Sequence, residues 1–255
     1  MSLLEVNHIK KTYKAKLGTE EVTALRDVHF SVEEGEFVAI MGESGSGKTT
    51  LLNILAGLDV PTAGKVLVNS KDYSSMKDDE RAIFRRTNLG FIFQDFNLLD
   101  NFTIEDNIKL PLVLAGEDYR TMDAKVKPLV KELGIEKLVK KYPYEVSGGQ
   151  KQRTAVARTL ITNPQILLAD EPTGALDSKA ATNLMNQLSE INKSGQTILM
   201  VTHSNVAASY ANRVMFIRDG EVFHQIYRGN QTRSEMLDKI CDAVTVLMRG
   251  GEDSE

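Results

Sequence analysis

The eight residues Gly42–Thr49, "GESGSGKT", constrain this chain more than any other stretch. They follow an apolar run, "FVAIM" at Phe37–Met41, and lead into "KTTLLNIL", where Leu51, Leu52, Ile54 and Leu55 recur at helical spacing. A buried strand that turns through glycines straight into a helix aims backbone N–H groups outward at the positive end of the helix dipole. Such a turn holds phosphate oxygens. The spacing G-x-x-x-x-G-K-[ST] in that setting predicts a nucleoside triphosphate site. Gly42, Ser44, Gly45, Ser46 and Gly47 form the cradle, Lys48 neutralises charge on the β- and γ-phosphates, and the Thr49 hydroxyl, with Thr50 beside it, is the candidate ligand for Mg²⁺.

A phosphate loop of this kind needs a carboxylate at the end of a neighbouring strand to hold the water shell of the metal. "QILLADEP" supplies one: Ile166, Leu167 and Leu168 read as a buried strand, Asp170 stands at its C-terminal end, and Glu171 is placed to polarise an attacking water. A second glycine pair, in "VSGGQKQR" at Val146–Arg153, also precedes a helical pattern, so it too is a candidate phosphate contact.

The rest of the chain supports an α/β fold. "LLEVNHIKKTY" and "VTALRDVHFSV" alternate as half-exposed strands, and "GKVLVNS", "LGFIFQD", "QILLAD", "TILMVTH" and "RVMFIRDG" are further β-rich runs. Asn97 to about Thr162 is mainly helical, and "SKAATNLMNQLSEINKSG" is a crossover helix. Strands alternating with helices predict a mostly parallel sheet. From Gly229 the character changes. Thr232 and Glu235 have capping-box spacing, Met236, Leu237, Ile240, Val244, Leu247 and Met248 form an amphipathic stripe, and "RGGEDSE" reads as a frayed tail.

The formal net charge of −4 argues against nucleic acid as a partner. The single cysteine, Cys241, excludes an intrachain disulfide and, among Ile240, Val244 and Leu247, is expected to be a buried structural thiol. The N-terminus lacks the charge and apolar run of a signal peptide, and no apolar stretch approaches the roughly 20 residues of a spanning helix.

With these stretches in hand, the sequence resembles the ATP-binding subunits of ABC transporters over nearly its whole length. "GESGSGKT" matches the Walker A motif of the family, "ILLADE" its Walker B, and "VSGGQKQR" its signature, with Val146 where leucine is commoner. Gln94 in "FIFQDFNLL" matches the Q-loop, Asp177 in "GALD" the D-loop, and His203 in "MVTHS" the switch histidine. The resemblance implies a P-loop NTPase of ABC type: a mostly parallel core sheet, an antiparallel β subdomain and an inserted helical subdomain at about 97–162. It places the ATPase domain at 1–228 and a C-terminal helical extension at 229–255. It further implies that Tyr13 stacks on adenine, that Gln94 reaches Mg²⁺ or the attacking water, and that His203 hydrogen-bonds the γ-phosphate. Two copies would pack head to tail, with Ser147, Gly148, Gly149 and Gln150 of one facing the ATP of the other and Asp177 across the same interface. A separate permease would dock on "FNLLDNFTIEDNIKLPL", which makes the chain peripheral to the cytoplasmic face of the cell membrane. Within the family, the macrolide-export and lipoprotein-release branch is most similar, and the C-terminal helix resembles bacitracin-type antimicrobial-peptide resistance transporters. A lipoprotein-release or cell-division ATPase is the alternative; a non-transport ABC ATPase would need paired cassettes or long coiled coils, which this sequence lacks.

Overall fold

The computed structural model describes residues 2–14 and 21–249, and side chains through residue 246. The end of the predicted stripe, Leu247 and Met248, therefore lies outside the described side chains, and the predicted tail lies almost wholly outside the described residues. The chain forms two compact units, residues 1–75 with 199–255, and residues 76–198.

The first unit is built on strands β1 (Ser2–Lys14), β2 (Glu21–Glu33), β3 (Phe37–Gly42), β4 (Ala63–Val68), β5 (Lys71–Asp72), β9 (Arg213–Arg218) and β10 (Glu221–Tyr227). They run in the order β5-β4-β1-β2-β10-β9-β3, and β8 (Thr197–Val201), in which the boundary between the units falls, is next to β3. β1, β2, β4 and β5 pair antiparallel, whereas β3 pairs parallel with β9. Val38, Ala39 and Ile40 of β3 and Val214 and Met215 of β9 are fully buried, as continuous apolar runs in a sheet covered on both faces should be. Helix α1 (Lys48–Leu55) packs Leu51, Leu52, Ile54 and Leu55 into this core. The buried Tyr73 hydroxyl reaches the last carbonyls of α1, Ile54 O at 3.1 Å and Leu55 O at 2.5 Å, and so satisfies acceptors that a helix end leaves open. Burial pushes its phenol pKa up.

Strand β10 was not anticipated. Its residues are half-buried or exposed, so no apolar alternation advertises it. The cue is the two-residue turn Asp219–Gly220, both with positive φ (51° and 78°), which is the hairpin geometry that Asp-Gly favours.

The unit also contains α7 (Asn205–Ala208) and α8 (Arg233–Arg249), and α8 packs on α7. The predicted capping box is present: Glu235 Oε2 accepts from Thr232 N at 2.8 Å, which holds the Glu235 carboxyl below its ordinary pKa. Met236 and Ile240 are fully buried. Cys241 is exposed, which corrects the expected buried thiol. It follows Ile240 by one residue, about 100° around the helix, and that rotation carries it off the buried stripe.

The second unit holds a parallel pair, β6 (Leu89–Ile92) and β7 (Ile166–Asp170), with α2 (Asp78–Asn88), α3 (Ile104–Leu114), α4 (Tyr119–Glu132), α5 (Gly148–Leu160) and α6 (Ser178–Lys193). Helix α2 also escaped the sequence reading, because Phe84 alone of its residues is buried and no apolar stripe marks it. Asn107 of α3 is fully buried and ties down the preceding loop. Its Nδ2 donates to Leu99 O, Phe102 O and Thr103 O at 3.0–3.1 Å, and its Oδ1 accepts from Leu99 N at 2.8 Å.

Candidate nucleotide site

The phosphate loop lies in the first unit and is shaped for an anion. Gly47 caps α1 in the left-handed region (φ 102°), and a Cβ there would lie 2.5 Å from Ala24 O, so only glycine fits. No side chain caps α1 and no acidic residue occupies its first turn, which leaves its leading N–H groups available to an anion. Lys48 is buried and its Nζ donates to Gly42 O at 2.8 Å and Glu43 O at 2.6 Å, across the mouth of the turn. Ser46 Oγ is buried without a hydrogen-bond partner among the described residues, a polar atom whose satisfaction is left to a ligand. Ser46 O accepts from Gly220 N at 3.2 Å, so the β9–β10 hairpin braces the loop. Gly45 also has positive φ (83°), and Glu43, Ser44 and Thr49 face outward, with Thr50 half-buried.

Tyr13 is 41% exposed, and Lys11 Nζ lies over its ring, 4.8 Å from the centroid. Its hydroxyl donates to Asp59 Oδ2 at 2.8 Å, and Asp59 Oδ1 accepts from Lys11 Nζ at 2.6 Å. Burial and the Asp59 bond raise the Tyr13 pKa. Burial works against the Asp59 carboxylate, but its bonds to Lys11, Tyr13 and Val60 N hold its pKa below the ordinary value. His203 stands two residues beyond β8 rather than at its end, exposed, after Thr202 N has bonded Ile40 O of β3 at 3.1 Å. Ser204 then caps α7.

The remaining candidates lie in the second unit. Asp170 closes β7 half-buried, and Glu171 turns sharply with φ 45°. Gln94 stands two residues past β6 rather than on it. Its amide packs over Gly174, where an added Cβ would approach Nε2 to 3.1 Å, and Gly174 N bonds Glu171 O at 2.9 Å. Gln94, Gly174 and Glu171 are thus brought together. Thr49 offers a hydroxyl and Asp170 a carboxylate, the oxygen-only donors that suit Mg²⁺.

Ser147 caps α5 in a reciprocal box: its Oγ accepts from Gln150 N at 3.4 Å while Gln150 Oε1 accepts from Ser147 N at 2.9 Å. Ser147, Gly148 and Gly149 line an open groove of about 360 Å³ with Arg153, Leu176 and Asp177. Asp177 caps α6, accepting from Lys179 N and Ala180 N at 2.9 Å. The second glycine loop and the D-loop therefore share one surface.

Helix α5 also carries residues that motif reading missed. Arg158 donates to Phe96 O at 2.9 Å and Asn97 O at 2.5 Å, pinning two consecutive left-handed residues (φ 58° and 49°) just after Gln94. Thr159 Oγ1 bonds Phe91 O at 2.9 Å, and the buried Gln152 Nε2 bonds Pro172 O at 3.0 Å. One helix thus fixes the backbone around the Q-loop and behind Glu171. The positive charge of Arg158 within a helix is no cue in itself; its partners lie some 60 residues away.

Comparison with known proteins gives the family. The ABC transporter family profile matches residues 25–174. The chain is 49% identical over 253 residues to the ABC transporter ATP-binding protein YxdL of Bacillus subtilis (strain 168), spanning 99% of this chain and 97% of that one. It is 47% identical over 248 residues to the bacitracin export ATP-binding protein BceA of Halalkalibacterium halodurans, spanning 97% of each. Among solved structures, the post-hydrolysis dimer of the ATP-binding cassette MJ0796 with ADP and Pi aligns with a TM-score of 0.79 at 39% identity, over 88% of this chain and 98% of that one.

Proposed function

The chain belongs to the ABC transporter family as an ATP-binding, ATP-hydrolysing subunit, and from that premise we propose that it powers a separate permease in resistance to, or export of, antimicrobial peptides of the bacitracin type. The observation that carries this reading is the full-length match to a bacitracin export ATP-binding protein, including the C-terminal region. No helix among the described residues is long and apolar enough to cross a membrane. In this reading a permease partner supplies the pathway and the subunit works at the cytoplasmic face of the membrane. Leu99 and Phe102, both exposed on the loop that Asn107 organises, are the apolar contacts offered to it, along with the half-buried Phe96 and Leu98.

In this mechanism the cradle from Gly42 to Thr50 binds the phosphates, Lys48 offsets their charge and Tyr13 stacks on the base. Thr49 and Asp170, with Gln94, would hold Mg²⁺, which would supply charge neutralisation across the phosphates. Glu171 accepts a proton from the attacking water as its oxygen bonds to the γ-phosphorus and the bond to the β–γ bridging oxygen breaks, yielding ADP and Pi. His203 hydrogen-bonds the γ-phosphate. Ser147, Gly148, Gly149 and Gln150 of a second copy contact the same phosphate, with Asp177 alongside, so ATP joins two subunits and its hydrolysis releases them.

The test is affinity purification of the chain from its native membrane, combined with deletion of its gene. Recovery of a membrane permease and increased sensitivity to bacitracin-like peptides support the assignment. Unchanged sensitivity with filamentous cells moves the chain to the cell-division type.

A further inference from the structure

Two of the four histidines of the chain, His8 and His29, lie with Asp27 on the outer face of the β1–β2 ribbon, and none of the three belongs to a motif used above. Their meeting is built by a β-bulge. The ladder pairs Val6 with Phe30 and Ile9 with Val28, so Asn7 and His8 together oppose His29. In a regular strand His8 would follow Asn7 to the buried face. The extra residue instead leaves His8 exposed, with φ 50°, and returns Ile9 to the core fully buried. From Asp27 onward the alternation on β2 is regular: Val28 and Phe30 point inward, Asp27 and His29 outward. The bulge is held from the other side by Gly64 of β4, where a Cβ would lie 2.3 Å from His8 O and 2.6 Å from Asn7 O.

His8 Nδ1 lies 2.9 Å from Asp27 Oδ1, the two imidazole centroids are 5.1 Å apart, and one ligand atom from each of the three residues falls within 4.8 Å of the others. A tetrahedral ion with bonds of about 2.0–2.2 Å sets its donors roughly 3.4 Å apart. Small rotations of these exposed side chains close that gap. Two imidazoles and one carboxylate form a donor set for borderline dications such as Zn²⁺, Ni²⁺ or Cu²⁺, whereas Mg²⁺ and Ca²⁺ take oxygen.

We propose that His8, Asp27 and His29 form a surface site for a borderline transition-metal dication, with Zn²⁺ as the test species, which clamps β1 to β2. The remaining coordination position faces solvent and takes water. The ordinary alternative is a solvated His–Asp pair beside a stacked histidine, and it predicts no metal dependence.

The full chain, free of nucleotide and in magnesium-containing buffer so that oxygen sites are occupied, is titrated with Zn²⁺ by calorimetry. The expected result is one Zn²⁺ per chain. His8→Ala, His29→Ala and Asp27→Asn each weaken binding by at least the roughly tenfold that loss of even a supporting contact costs. His224→Ala and Cys241→Ser bind as the parent does. Zn²⁺ raises the melting temperature of the parent but not of the triad variants, as binding to the folded state alone requires. X-ray absorption at the zinc edge shows imidazole ligands and no sulfur. Parent-like zinc affinity in both His8→Ala and His29→Ala, a sulfur ligand, or no binding by the parent overturns the site. All three side chains are exposed, and matching circular dichroism spectra verify that the variants fold.

Discussion

At the level of single residues, the nucleotide site rests on short polar contacts that hold functional groups in place. Tyr13 is an example. Its hydroxyl is held by Asp59, itself clamped by Lys11, and these contacts fix the ring that is proposed to meet the base. The folded pKa of Asp59 is depressed, so the unfolded chain binds the proton more tightly. Its stabilising contribution is therefore fully present above the unfolded value and lost as pH falls through the folded one. Asp59→Asn should lower the melting temperature at neutral pH. That difference should shrink as acid takes the buffer below the ordinary carboxylate range; thermal unfolding across a pH series measures it, and a gap that widens in acid refutes the linkage. Ser147 shows a different economy, since one hydroxyl caps α5 and is also proposed to face the γ-phosphate of the partner copy.

Among the elements, α5 and α8 matter most. The signature helix α5 reaches back to Phe91, Phe96, Asn97 and Pro172 through Thr159, Arg158 and Gln152, so the Q-loop and the segment after Glu171 share one support. Helix α8, the amphipathic extension after the ATPase domain, packs in the first unit against α7, the helix that follows His203 and Ser204. Arg233 lies over the Tyr210 ring at 4.6 Å and donates to its hydroxyl. Met236→Ala and Ile240→Ala each empty a fully buried position and should cost about 2–5 kcal/mol. Urea unfolding of the purified chain tests this; a loss below about 0.5 kcal/mol for both would mean that α8 is not docked in solution.

For the whole molecule, the proposed cycle depends on ATP joining two copies. Glu171→Gln keeps the shape of the side chain and removes its basicity. We expect it to retain ATP binding, to lose nearly all turnover, and to convert monomer to dimer on addition of ATP. Sedimentation with and without nucleotide measures the association, and a variant that hydrolyses ATP as a monomer excludes Glu171 as the base.

Much of this was legible in the linear chain because a phosphate loop is a local object. Strand, glycine turn and helix are consecutive, and residue spacing alone places Lys48 and Thr49 at the helix start. Asp170 is read in the same way from the apolar run that ends on it. Other features have no local signature. Arg158, Asn107 and the bulge at His8 act through partners that are loop carbonyls or residues on another strand, and a buried polar side chain shows its role only when those partners are adjacent. Strand β10 and helix α2 were missed for a related reason, since neither buries a full apolar face. The sequence by itself, through its resemblance to ABC ATP-binding subunits, was enough for the family and the ATP chemistry, and it nominated the candidate residues, because the motifs that carry the resemblance are runs of consecutive residues. Only the tertiary structure decided which helix supports those motifs, where α8 packs and which histidines meet, because these follow from contacts between residues far apart in the chain.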